Sequence, residues 1–122
     1  MARVLVIEDN AANLELMIYL LGAFGHIALT ASEAYEGLEI AQRERPDIIV
    51  CDIQLPDIEG YEVARQLKNN ADLRYIPLIA VTALAMVGDR DRILATGFNG
   101  YISKPIVPET FVPQLEAFIR SG

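Results

Sequence analysis

A single cysteine, Cys51, and a single histidine, His26, are the only thiol and the only imidazole in the chain. One cysteine excludes an intrachain disulfide and any cysteine metal cluster. One histidine excludes a His-rich metal site and leaves little room for a catalytic triad. Basic residues are also scarce: 10 Lys and Arg stand against 17 Asp and Glu, for a net charge of −7. A surface that tracks nucleic-acid phosphates needs clustered Lys and Arg, so nucleic acid is not an expected partner. Long apolar runs are missing as well. Nothing approaches the roughly 20 residues of a membrane span, and Arg3 is followed by only four apolar residues before Glu8, too few for a signal peptide. The expected location is the cytoplasm, with no membrane partner.

What is present is globular material, 52% hydrophobic and 22% charged over 122 residues, a length that fits one domain (1–122) with a sizeable core. Short apolar runs at 3–7, 26–30, 47–51, 77–82 and 100–104 read as strands, and their lack of alternation predicts burial on both faces. Helical periodicity lies between them at about 11–24, 32–44, 60–69, 88–96 and 108–120. Phe111, Leu115, Phe118 and Ile119 form one apolar stripe. Pro108 suits a first helical turn, Ser32 with Glu33 suits a helix start, and Gly60 reads as a positive-φ residue closing the loop after the third strand. The pattern is α/β: a flavodoxin-like (βα)5 domain whose five-stranded parallel sheet has the order 2-1-3-4-5 and carries helices on both faces.

That order reverses between strands 1 and 3, and ligands bind at the carboxyl ends of strands beside such a reversal. Two adjacent acids end the first strand in "VLVIEDN", Glu8 and Asp9. Asp52 ends the third, Thr82 the fourth and Lys104 the fifth. Converging carboxylates raise one another's pKa unless a cation neutralises them. Hard oxygen ligands suit Mg2+, which binds through one or two carboxylates plus a phosphate. Lys104 offers a point charge, and the Thr82 hydroxyl a hydrogen bond, to phosphoryl oxygens. Phosphoryl transfer needs little beyond positioning and charge neutralisation, so a carboxylate can be the nucleophile.

The segments "VIEDN", "DIQLPDIEG", "AVTALAM" and "YISKPI" closely resemble the receiver domain of two-component response regulators, in order and over the whole chain. "TALAMVGDRDRI" and "YISKPI" resemble in particular single-domain regulators of the DivK type and the receivers of hybrid histidine kinases. The resemblance implies that Asp52 is the phosphoacceptor and that Mg2+ is held by Asp9, Asp52 and the backbone carbonyl of Gln54, with Glu8 acting through water. It also implies that Thr82 and Lys104 contact the phosphoryl group, that Thr82 and Tyr101 form the switch, and that the Lys104–Pro105 bond is cis. The expected phosphodonor is a histidine kinase or histidine phosphotransfer protein. A downstream protein target would read the face made by helix 4, strand 5 and helix 5, which could also form a weak homodimer.

Helix 1 carries apolar residues all round. With Leu14, Met17, Ile18 and Leu21 facing the core, Ala12, Leu16, Tyr19, Leu20 and Ala23 form an apolar outward stripe. Leu16 and Leu20 are then the expected docking residues for the donor. By the same resemblance to receivers, Gln54 and Leu84 flank the path of the hydrolytic water, and Ala83 leaves the pocket open to a partner.

Other functions fit less well. A flavin carrier needs a Ser/Thr/Gly-rich phosphate loop where this chain has acidic "EDNAAN". An aspartate-nucleophile phosphatase wants an Asp where Gln54 stands, so no enzyme is expected beyond assistance to the domain's own phosphorylation and dephosphorylation. A phosphorylation-independent receiver-like interaction module remains as the alternative.

Overall fold

The computed structural model describes residues 1–83 and 87–121. The elements alternate along the chain as β1 (Arg3–Ile7), α1 (Ala11–Ala23), β2 (Ile27–Ala31), α2 (Ala34–Glu44), β3 (Ile48–Asp52), α3 (Gly60–Lys68), β4 (Leu78–Thr82), α4 (Val87–Thr96), β5 (Gly100–Ser103) and α5 (Phe111–Ser121). The five strands form one parallel sheet in the order β2-β1-β3-β4-β5. This is the doubly wound architecture that the apolar runs predict.

The pleat sorts the core into two layers, because successive side chains of a strand point to opposite faces. Leu5, Ile7, Ile49, Cys51, Leu78 and Ala80 pack on one face with Ala34 and Ala41 of α2, Val63, Ala64 and Leu67 of α3, and Ile93 of α4. Val4, Val6, Ile48, Val50, Ile79 and Val81 pack on the other with Met17, Leu20 and Leu21 of α1 and Phe111, Val112 and Leu115 of α5. Every residue of β3 and β4 is buried, whereas the edge strand β2 is half open. His26 lies just before β2. Its Nδ1 accepts from the Ala2 N–H at 2.9 Å, which leaves the Nε2 hydrogen for Glu116 Oε2 at 2.8 Å, a packing role far from the strands' carboxyl ends.

The outward stripe expected on α1 holds for Ala12, Tyr19 and Ala23, which are exposed, but not for its leucines. Leu20 is buried and Leu16 half-buried against the α1–α5 core layer, while Ile18 and Tyr19 are the exposed large apolar residues. The helix is rotated because it packs against α5 as well as the sheet. Glu15 is its only charged residue, so polarity did not mark the solvent side. Leu20→Glu is therefore expected to cost about 3 kcal/mol of stability through an unpaired buried carboxylate and lost packing. Urea unfolding measures this, with Tyr19→Glu staying close to wild type.

Two further expectations are corrected. α5 starts at Phe111 rather than near Pro108: residues 108–110 form a turn in which the N–H groups of Thr110 and Phe111 both donate to the Val107 carbonyl, at 3.1 and 3.0 Å. Pro113 occupies the first helical turn instead, where a missing N–H leaves no bond unmade. Gly60 opens α3 and has no positive φ; only Gly25 and Gly97 do among the described glycines. Its reason is close approach. A Cβ there would collide with the Asp52 carbonyl oxygen and lie 2.8 Å from Ile53 Cα.

Candidate functional site

Sheet register builds the site. Ile7 pairs with Cys51 across β1 and β3, so the next residues, Glu8 and Asp52, stand side by side where the two strands end. Thr82 pairs with Ser103 across β4 and β5, and the Lys104 N–H donates to the Thr82 carbonyl at 2.9 Å, which brings the lysine to the same edge. The Lys104–Pro105 peptide is cis, as expected. Glu8, Asp52 and Thr82 are the buried polar residues of the described chain, at 1%, 5% and 2% exposure, whereas Asp9 is exposed. One carboxylate oxygen from each of Glu8, Asp9 and Asp52 falls within 4.8 Å of the others.

Lys104 is the counter-charge. Its Nζ lies 3.0 Å from Asp52 Oδ2, as a hydrogen bond, and 3.0 Å from Glu8 Oε1, as an ion pair only. Glu8 Oε2 accepts from the Asn10 N–H at 3.2 Å, while Oε1 is buried with no hydrogen bond of its own. Burial, then the hydrogen bond and charge of Asp52, push the Glu8 carboxyl up to about 7, against the pull of Lys104. Burial alone would lower Lys104, but its bonds to Asp52 and Glu8 hold the ammonium above its ordinary value. One lysine thus stands against two buried carboxylates, with Asp9 a third acid in the same cluster. Oxygen donors with surplus negative charge fit a hard divalent cation such as Mg2+.

The acceptor side chain is held from both sides. Asp52 Oδ1 accepts from the Gln54 N–H at 3.0 Å, opposite Lys104 on Oδ2. Cys51, the preceding residue, is fully buried, and burial pushes its thiol above the ordinary range, as befits an inert core side chain. Tyr101 lies half-buried on β5. It pairs with Ala80 in the register that places Ser103 opposite Thr82, so Tyr101 and Thr82 share one face of the sheet, two residues apart. Arg90 of α4 stacks over the Tyr101 ring at 5.6 Å.

The sequence expectations converge here for Glu8, Asp9, Asp52, Thr82 and Lys104, with Gln54 adjoining through its backbone. Leu20 and Leu16 belong to the core layer described above. Leu84 lies outside the described residues; Ala83 is exposed at the end of β4. Asp57 was passed over. Its carboxylate accepts from the Ala34 and Tyr35 N–H groups at the start of α2, 2.9 Å each, across more than twenty residues of chain. Ser32 with Glu33 suggests a locally capped start for α2, so nothing in the sequence pointed to Asp57; the N-cap position falls to Glu33. In the structure Glu33 makes no capping bond.

This geometry has close relatives. A family model for the response regulator receiver domain matches residues 4–116. The polar-differentiation response regulator DivK of Brucella anthropi is 42% identical over 116 residues, covering 95% of this chain and 94% of that protein. The chemotaxis response regulator CheY4 of Vibrio cholerae superposes with a TM-score of 0.92 at 26% identity, over 97% of this chain and 98% of that one. The receiver domain of a sensor histidine kinase from Pseudomonas aeruginosa, which holds a magnesium ion coordinated in its active-site cleft, superposes with a TM-score of 0.90 at 30% identity, over 98% of each chain. An acid cluster at the β1–β3 reversal, a lysine after β5 and a family match over nearly the whole chain lead to one conclusion: this chain belongs to the response regulator receiver domain family.

Proposed function

We propose that the chain is a phosphorylation-activated switch in which Asp52 accepts a phosphoryl group from a histidine donor. The observation that carries this reading is the placement of Lys104 Nζ 3.0 Å from both Asp52 and Glu8, at the crevice where Asp9 also converges. In the transfer an Asp52 carboxylate oxygen attacks phosphorus as the P–N bond of the donor phosphohistidine breaks, and the donor ring, already protonated on its other nitrogen, leaves as neutral imidazole. The donor is a histidine kinase or a histidine phosphotransfer protein. The Asp9 and Asp52 carboxylates and the Gln54 carbonyl would hold Mg2+, with Glu8 acting through water. When bound there, the cation would supply neutralisation of the charge developing on the phosphoryl oxygens. Lys104 moves from Asp52 Oδ2 to one phosphoryl oxygen, and the Thr82 hydroxyl donates to another. A buried Thr82 drawn toward the phosphoryl group makes room on the face it shares with Tyr101, and the ring follows. The readout is by docking on α4, β5 and α5, where Leu94 and Val107 already stand exposed. On the donor side, the exposed Ile18 and Tyr19 of α1 replace Leu16 and Leu20 as contact residues.

The test is incubation with Mg2+ and acetyl phosphate, followed by borohydride reduction and peptide mapping. The expected result is one phosphoryl mass per chain and a homoserine at position 52. Absence of uptake, or reduction at another acid, sinks the reading.

A further inference from the structure

The first turn of α2 has no local cap. Its leading N–H groups, on Ala34 and Tyr35, are taken one each by the two oxygens of Asp57, at 2.9 Å. Asp57 lies in the segment between β3 and α3, which directly follows the proposed phosphoacceptor. The ends of that segment are pinned as well: the Ile53 N–H donates to the Val81 carbonyl, and the Gly60 N–H donates to the Ile53 carbonyl at 2.8 Å. Between them Leu55 and Ile58 pack against the core, and the Asp57 side chain ties the stretch to the backbone of α2.

Two residues separate Asp57 from Gln54, and they are stiff. Pro56 has a fixed φ, and Leu55, as the residue before a proline, is confined to extended conformations. A displacement at Asp57 therefore passes to Gln54 with few torsions to absorb it. Gln54 is the residue whose N–H holds Asp52 Oδ1 at 3.0 Å. The staple itself is a strong one, because a carboxylate bonded to two backbone donors at a helix N-terminus gains from both charge-assisted hydrogen bonds and the helix dipole. Burial raises the Asp57 carboxyl slightly, and the N–H bonds from Tyr35, Ala34, Ile58 and its own backbone outweigh that and hold it below the ordinary range.

We infer that Asp57 is a positioning residue, stapling the acceptor loop to α2 so that the Gln54 N–H and carbonyl are set for Asp52 and for the cation. The inference rests on the reading of Asp52 as a phosphoacceptor beside a Mg2+ site.

The test compares Asp57→Ala, Asp57→Asn and Glu36→Ala in the full chain. Glu36 is the control, because its carboxylate accepts from the Ser32 N–H at 2.9 Å and supports the same helix start without touching the loop. Two quantities are read by amide NMR: the Gln54 resonance without cation, and the Kd for Mg2+. Asp57→Ala is expected to shift or broaden the Gln54 amide and to raise the Kd about tenfold, the scale on which outer-shell partners of metal ligands act. Asp57→Asn keeps one acceptor oxygen and falls between, and Glu36→Ala keeps the wild-type Kd. An Asp57→Ala chain with wild-type Kd and Gln54 resonance overturns the inference, as does a Glu36→Ala chain that weakens Mg2+ equally. A wild-type chain with no Mg2+ response overturns the acceptor-site reading and this inference with it, whereas a responsive wild type confines the failure to the staple.

Discussion

Asp52→Asn is expected to take up no phosphoryl group from acetyl phosphate, a loss on the order of 10³-fold or more, since an amide oxygen is a poor nucleophile where a carboxylate is a good one. The fold should survive the change. Asn keeps an oxygen for the Gln54 N–H, and removing one of the two carboxylates that share Lys104 relieves the repulsion that raises Glu8. The variant should therefore unfold in Mg2+-free buffer no earlier than wild type. Its Mg2+ affinity should fall, because a charged ligand is lost from a set of three. Intact mass after incubation decides the first point and thermal unfolding the second. A variant that gains the same mass as wild type would place the acceptor elsewhere, with the exposed Asp9 the next residue to replace.

The central layers were legible because burial on both faces leaves its mark in composition. After Arg3 at the start of β1, strands β1, β3 and β4 have no polar residue until their carboxyl ends, so a polar residue there reads as a site residue. Parallel strands align those ends, and Glu8, Asp52, Thr82 and Lys104 met as the topology requires. α1 was not legible to the same degree. With Glu15 as its only charge, its rotation was set by packing on α5, a contact more than ninety residues away that periodicity cannot register. Gly60 was recognised as special for the wrong reason: what demands glycine is the carbonyl of Asp52 pressed against it, a tertiary approach and not a local φ. Asp57 escaped for the same cause. Its partners are on another helix, and an Asp after a proline in a loop reads as turn chemistry.

Lys104→Ala is expected to separate cation binding from phosphoryl transfer. In the wild type the Lys104 ammonium lies 3.0 Å from both Asp52 and Glu8, where an incoming Mg2+ would compete with it for the same charge. Removing the lysine removes a like charge from the neighbourhood of the cation, so Mg2+ should bind at least as tightly as in wild type. Transfer is a different matter. On the proposed reading, charge developing on the phosphoryl oxygens as the group passes to Asp52 would be met by Thr82, Lys104 and a bound Mg2+, and loss of one preorganised donor of this kind costs about 10²–10³-fold in rate. Labelling by acetyl phosphate should slow by that factor even at saturating Mg2+. Without cation the variant should also unfold earlier, because Glu8 and Asp52 are left buried side by side with no counter-charge, and added Mg2+ should restore most of the loss. Lys104→Arg should recover the stability but little of the rate, since a planar guanidinium cannot occupy the point position of an ammonium between two carboxylates. Stopped labelling time courses across a Mg2+ titration give both quantities for each variant. A Lys104→Ala chain that labels at the wild-type rate once Mg2+ is saturating would show that the lysine serves only to keep two buried acids apart.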